Sequence, residues 1–159
     1  LDADAVTGQR SGDLCAVRTA DCLPVLFCSR DAAEIAAAHA GWRGLAAGVL
    51  ENTVAAMSVP PTQLMAWLGP AISQENFEVG SEVRDVFVAH DPRAAECFQQ
   101  NERGRWQADL YGLARQRLAR CGLEAVYGGH WCTFADADRF HSYRRDPECG
   151  RMVSFVHLK

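Results

Sequence analysis

Leu14-Cys15-Ala16-Val17-Arg18-Thr19-Ala20-Asp21-Cys22-Leu23-Pro24-Val25-Leu26-Phe27-Cys28, followed after a polar break by Glu34-Ile35-Ala36-Ala37-Ala38-His39-Ala40-Gly41-Trp42-Arg43-Gly44, is the stretch on which the reading of the fold turns. Leu14 to Arg18, Leu23 to Cys28 and Glu34 to Ala38 are short apolar runs, and such runs predict strands buried on both faces. Pro24 stands near the start of the second run, where proline is best tolerated. From Trp42 the period changes. Trp42, Leu45, Ala46, Val49, Leu50 and Met57 fall on one face of a helix, which Pro60-Pro61 stops.

Working outward, Leu64 to Leu68 predicts a strand running into Gly69-Pro70. Ser81 reads as the N-cap of a helix carrying Val83, Val86 and Phe87. Asp91-Pro92 caps a second short helix with proline at its first position. Asp109 caps a third, with Leu110, Leu113, Ala114, Leu118 and Cys121 inward and Gly122 as its stop. Glu124 to Tyr127 and Met152 to Val156 complete the strands. Strands interleaved with helices predict an α/β or α+β fold. With 159 residues, no repeat and no obvious linker, residues 1–159 read as one domain.

Composition narrows the function. Hydrophobic residues make up 48% of the chain, enough for a core without cross-links, and no apolar run is long enough to span a bilayer. A net charge of −4 without a polybasic block argues against nucleic acid as the main partner. Lys159 is the only lysine, which argues against a catalytic lysine and leaves anion recognition to arginine. Seven cysteines stand at irregular spacing with no CxxC pair, against a zinc ribbon or thioredoxin-type motif. Free thiols in a reducing, cytoplasmic setting are expected, with Cys15, Cys28, Cys97 and Cys121 acting as small hydrophobes.

Two segments break the structural pattern. Thr19-Ala20-Asp21-Cys22 lies between two strands and His39 to Gly44 between a strand and a helix, where sites are commonly built. Cys22 and His39 suit zinc and equally suit a nucleophile with its base. Spacing alone leaves both open. Gly41 and Gly44 let backbone approach a ligand. Arg43 stands near a predicted helix N-terminus, which favours anions, or else pairs with a neighbouring acid. In Phe140-His141-Ser142-Tyr143-Arg144-Arg145-Asp146, Tyr143 and Arg144 could stack on a base and hold an anion; the alternative is a solvated loop with Arg145 and Asp146 paired. His90 and His157 read as surface or packing residues, and Gly128-Gly129 lets His130 and Cys132 approach a site.

Together TADCLPVLF, HAGWRGLAAGVLE, WLGPAI with FEVG after it, DLYGLARQRL, CT, and SYRRD with GRM after it resemble the YfiH-like family, also called the polyphenol oxidase or "multicopper oxidoreductase laccase" family. The resemblance implies an α/β domain of layered mixed sheets flanked by helices, similar to a group of cysteine hydrolases. It implies a metal site of two histidines and one cysteine, usually holding zinc, with Cys22 and His39 matching the cysteine and the second histidine. It implies purine nucleoside chemistry with phosphate: phosphorolysis of adenosine, inosine, guanosine and methylthioadenosine, and deamination of adenosine. One bacterial branch is linked to editing UDP-linked peptidoglycan precursors.

The family's first metal histidine lies in a Gln-x-His-Gly segment upstream of the position matching Leu1. The chain therefore reads as a fragment, processed product or trimmed form lacking that segment, and His130 and His141 are the candidates to substitute. Five histidines cannot furnish a blue-copper site plus a trinuclear cluster, so multicopper chemistry is not expected, although adventitious copper at the Cys-His pair is. The expected activity is a zinc-dependent purine nucleoside enzyme. In it Arg43 and Arg144 position phosphate, Asp21 orients a ligand or moves a proton, and Tyr143 or Phe77 stacks on the purine. Two alternatives stand beside it: a cysteine amidase with Cys22 as nucleophile and His39 as base, and an inactive metal-binding domain.

Overall fold

The computed structural model describes residues 3–159. Ala5–Gly8 (β1), Leu14–Thr19 (β2), Leu23–Ser29 (β3), Ile35–Ala40 (β4), Leu64–Leu68 (β5) and Ala125–Gly128 (β9) are joined by three short strands, Glu78–Val79 (β6), Phe98–Gln100 (β7) and Trp106–Ala108 (β8), and by a last strand, Met152–His157 (β10). The main sheet has the order β1-β4-β3-β5-β9; all its pairings are antiparallel except β5 with β9. A ribbon of β2 and β10 and a small antiparallel sheet β6-β8-β7 complete the strands. The fold is mixed α/β, as expected.

The expectation of burial on both faces holds for the central strands. Ala36, Ala37, Ala38 and Ala40 of β4 are fully buried, with Ala36, Ala38 and Ala40 in the main core and Ile35 and Ala37 packed under the ribbon with Cys15 and Val17. Small side chains suit a strand covered on both sides, which explains alanine where larger β-formers are usual. The expectation fails for β2. Cys15, Val17 and Thr19 are buried while Leu14, Ala16 and Arg18 are exposed, because β2 leaves the main sheet to cover one face of it, and a cover needs only one apolar face.

The helix predicted from Trp42 is two helices, Trp42–Ala46 (α1) and Val49–Ala56 (α2), broken where Gly48 takes φ 88°. A left-handed residue ends a helix, and glycine adopts it without a Cβ penalty. Ser81 is the first residue of the next helix, Ser81–His90 (α3), rather than its cap; Gly80 holds the cap position without a side-chain bond. Val83 and Phe87 face inward, one turn apart, and Val86 is exposed. The other caps are as expected. Asp91 accepts from Arg93 N at 3.0 Å over the 3₁₀ turn Pro92–Cys97. Asp109 accepts from Gly112 N at 2.9 Å at the start of Leu110–Arg120 (α4), and Gly122 follows that helix with φ 82°. All seven cysteines are free; Cys15 and Cys97 are buried, Cys28 and Cys121 only partly so.

Strand directions gather the important loops at one edge of the main sheet. Leu23 pairs with Ala40, Val25 with Leu68, and Leu68 with Gly128. The start of β3 and the ends of β4, β5 and β9 therefore lie side by side. Tyr111 of α4 ties two of the loops that leave this edge: its buried hydroxyl accepts from Ala71 N at 2.8 Å and lies 3.1 Å from the carbonyls of Gly69 and Trp131.

Candidate functional site

Ala20 to Cys22 is a three-residue bend between β2 and β3. Asp21 within it has φ 89°, a conformation that L residues seldom adopt but Asp tolerates better than most. Continuing the β3–β4 register past Leu23 and Ala40 puts Cys22 opposite Gly41. A Cβ placed on Gly41 would stand 2.9 Å from Cys22 Sγ and 3.6 Å from His39 Cε1, so thiol and imidazole share the space that a side chain at Gly41 would take. The cysteine and histidine singled out in the sequence do come together, and the glycine between them is what lets them. His39 N donates to Asp4 O at 2.7 Å, and its Nδ1 lies 3.5 Å from Asp4 Oδ1. Burial, then the neighbouring Asp21 carboxylate, push the Cys22 thiol above its ordinary value, with Arg151 opposing them.

A cleft of about 320 Å³ opens beside the thiol, lined by Asp21, Cys22, Trp42, Arg43, Ile72, Phe77, Leu110, Tyr143 and Arg144. Arg43 is exposed, with its guanidinium 4.4 Å from the Trp42 ring centroid. It pairs with no acid among the described residues. Arg144 lies over Phe77 at 5.4 Å and donates to Glu78 O at 3.0 Å. Tyr143 is exposed, and Arg151 sits 5.6 Å from its ring. The helix behind Arg43 has only five residues, so the charge at this wall comes from side chains more than from a helix dipole.

Sequence reading missed Thr133. It is fully buried, and its hydroxyl donates to Asp21 Oδ1 at 2.6 Å, while Arg144 N donates to Asp21 Oδ2 at 2.7 Å. The carboxylate thus ties two points of the one connection between β9 and β10 to the bend before β3. Arg145 does not pair with Asp146: its guanidinium donates to the carbonyls of Thr133, Phe134 and Phe140 at 2.7, 2.8 and 2.7 Å, because three converging carbonyls satisfy its fork better than one solvated acid. His130 stacks on Trp131 at 3.8 Å and His141 packs against Gly150. Neither is grouped with Cys22 and His39: among the described residues no cluster of three His, Cys, Asp or Glu is arranged to hold a metal. His90 and His157 are exposed. Cys132 accepts from Ser73 N, Asn76 Nδ2 and Ala135 N at 3.3–3.4 Å.

The family profile described as multi-copper polyphenol oxidoreductase laccase matches residues 1–159. The chain belongs to this family. Among its relatives is the purine nucleoside phosphorylase YfiH of Escherichia coli strain K12, 54% identical over 156 residues that make up 98% of this chain and 64% of the relative. A purine nucleoside phosphorylase of Pseudomonas aeruginosa is 54% identical over 160 residues, 100% of this chain and 66% of the relative. The crystal structure of a Neisseria meningitidis protein superposes with a TM-score of 0.97 at 56% identity, covering 99% of this chain and 65% of that one. The chain therefore spans just under two thirds of these family members.

The donor types at Gly41 suit the metal that the family description implies. A thiolate and an imidazole are zinc ligands and bind copper more tightly still. An open catalytic zinc site uses three protein donors. The described residues bring two, so Cys22 and His39 would hold an ion only with a further donor.

Proposed function

We propose that this chain forms the cysteine–histidine wall of a purine nucleoside phosphorylase, taking a purine nucleoside and inorganic phosphate. The observation that carries the reading is the cleft itself. Cys22 opens into it, with His39 alongside at Gly41, and the cleft is lined by three aromatic rings and two guanidinium groups. The names of the Escherichia coli and Pseudomonas aeruginosa relatives support it.

Phosphorolysis moves the ribose C1′ from the base nitrogen to a phosphate oxygen. It asks a protein to hold a dianion beside C1′ and to stabilise the purine as it leaves. Arg43, which pairs with no acid among the described residues and lines the cleft, supplies charge-assisted hydrogen bonds to phosphate. Arg144 adds its remaining donors. The Tyr143 ring offers a face for the purine. Adenosine, inosine, guanosine and methylthioadenosine share that base shape, and adenosine deamination would use the same seat with water as nucleophile. Zinc at Cys22 and His39 would supply a Lewis acid. A cytoplasmic setting agrees with seven free cysteines. The amidase alternative needs Cys22 as a thiolate, as zinc ligation does, so the dependence of activity on metal is what separates the two.

The test is release of hypoxanthine from inosine, and of adenine from adenosine, with and without phosphate, alongside metal analysis of the 159-residue protein. Phosphate-dependent release that disappears in Cys22→Ala is expected. Full activity in Cys22→Ala, or release indifferent to phosphate, would overturn the reading. Loss of activity on iodoacetamide treatment of metal-free protein would favour the amidase instead.

A further inference from the structure

Asp21 is held from three directions. Its Oδ1 accepts from Thr133 Oγ1 at 2.6 Å, its Oδ2 from Arg144 N at 2.7 Å, and its carbonyl from Ile72 N at 3.0 Å. A non-glycine residue at φ 89° keeps that conformation only where its surroundings over-determine it. Of the three bonds, one depends on a single replaceable side chain, that of Thr133. Thr133 is itself immobile: its N–H donates to Ala71 O at 3.0 Å, its carbonyl accepts from Arg145 Nη1 at 2.7 Å, and it has no solvent exposure. It does not line the cleft, so any effect on chemistry passes through Asp21.

We propose that Thr133 is a positioning residue of this site: its hydroxyl clamps Asp21 in the left-handed bend that sets the Cys22 thiol against Gly41 and His39, and, through the other carboxylate oxygen, fixes the backbone at Arg144. The proposal rests on reading Cys22 as a working group of the site. It gives Asp21 a mechanical part in the site, with one donor on each carboxylate oxygen. Without the hydroxyl, Asp21 Oδ1 is left buried and unpaired, and the cheapest relief is for the bend to relax toward the β region, which carries Cys22 with it.

The test compares Thr133→Val, Thr133→Ser and Thr133→Ala in the 159-residue protein. The readouts are phosphorolysis of inosine with inorganic phosphate, and the rate of iodoacetamide labelling at each cysteine, resolved by peptide mass spectrometry. Thr133→Val should lower kcat about tenfold or more, the scale on which misplacing a working group costs rate. Its labelling rate at Cys22 should change severalfold while that at Cys15, on the ribbon, does not. A merely destabilised protein would change both cysteines together. Thr133→Ser, which keeps the hydroxyl, should restore both readouts. Wild-type labelling at Cys22 in Thr133→Val would overturn the proposal. If that variant does not fold, the same result in Thr133→Ala, which also lacks the hydroxyl but adds no second methyl, would overturn it equally. The labelling comparison needs no turnover, so it decides the clamp even where the wild-type protein is inert toward inosine.

Discussion

Gly41→Ala is the substitution whose consequences the structure specifies most fully. Gly41 has φ −62° and ψ 161°, ordinary extended backbone that alanine adopts freely, so no conformational strain enters. Its loss of unfolded-state freedom stabilises by about 0.4–1 kcal/mol. Against this stands the new Cβ, 2.9 Å from Cys22 Sγ. Ordinary contact begins near 3.4 Å, so the sulfur must withdraw by about 0.5 Å; overpacking of this kind costs about 1–3 kcal/mol. The net destabilisation is at most about 2–3 kcal/mol, a fall in Tm of roughly 10 °C or less for a chain of this size. Function should suffer far more. A metal ligand must sit within about 0.2 Å of its place, and a misplacement of about 1 Å can cost a hundredfold in rate. Differential scanning calorimetry with nucleoside phosphorolysis should therefore show a folded protein whose kcat/KM is lower by about tenfold to a hundredfold. A Gly41→Ala protein with at least half the wild-type activity would refute the claim that Cys22 and His39 work across Gly41.

Tyr111→Phe removes the acceptor of Ala71 N–H and should destabilise by about 1–3 kcal/mol in urea unfolding, the penalty of one buried unpaired amide; an unchanged midpoint would mean that another group satisfies that amide. The Arg93 side chain and N–H, helped by the charge of Arg120, hold the Asp91 carboxyl at about 2, below its ordinary 3.8. A folded value below the unfolded one stabilises above the unfolded value and is lost as pH falls through the folded one. Thermal midpoints should accordingly drop between about pH 4 and 2 more steeply in wild type than in Asp91→Asn, and equal slopes would contradict this. Burial alone would raise the Cys132 thiol, but hydrogen bonds from Ser73, Ala135 and Phe134 outweigh it and bring it below its ordinary value, whereas burial pushes Cys97 up to about 12. Iodoacetamide at pH 8 should thus label Cys132 well ahead of Cys97, and the reverse order by peptide mapping would show the thiolate account to be wrong.

Local signals carried much of the fold. The apolar runs of β3, β4 and β5, the caps at Asp91 and Asp109 and the stop at Gly122 were readable because each depends on residues within a few positions of itself. β1, β6, β7 and β8 were not, since strands of two to four residues are too short for a period and exist through their pairing partners. The break at Gly48 escaped notice because the helical period runs through it unchanged. Thr133 escaped because a hydrogen bond across 112 positions leaves no mark on spacing.

The opening stretch divides along the same line. By itself the sequence determined that reactive residues stand at strand ends, at Cys22 and His39, and that glycines flank the histidine, since these follow from residue type and local pattern. Only the tertiary structure decided that Cys22 lies opposite Gly41, that the Asp21 carboxylate accepts from Thr133 and Arg144, and that Arg43 and Tyr143 share one cleft. Those facts depend on strand register and on loops that meet at one sheet edge, and register is settled by the burial of both faces at once rather than by any one segment.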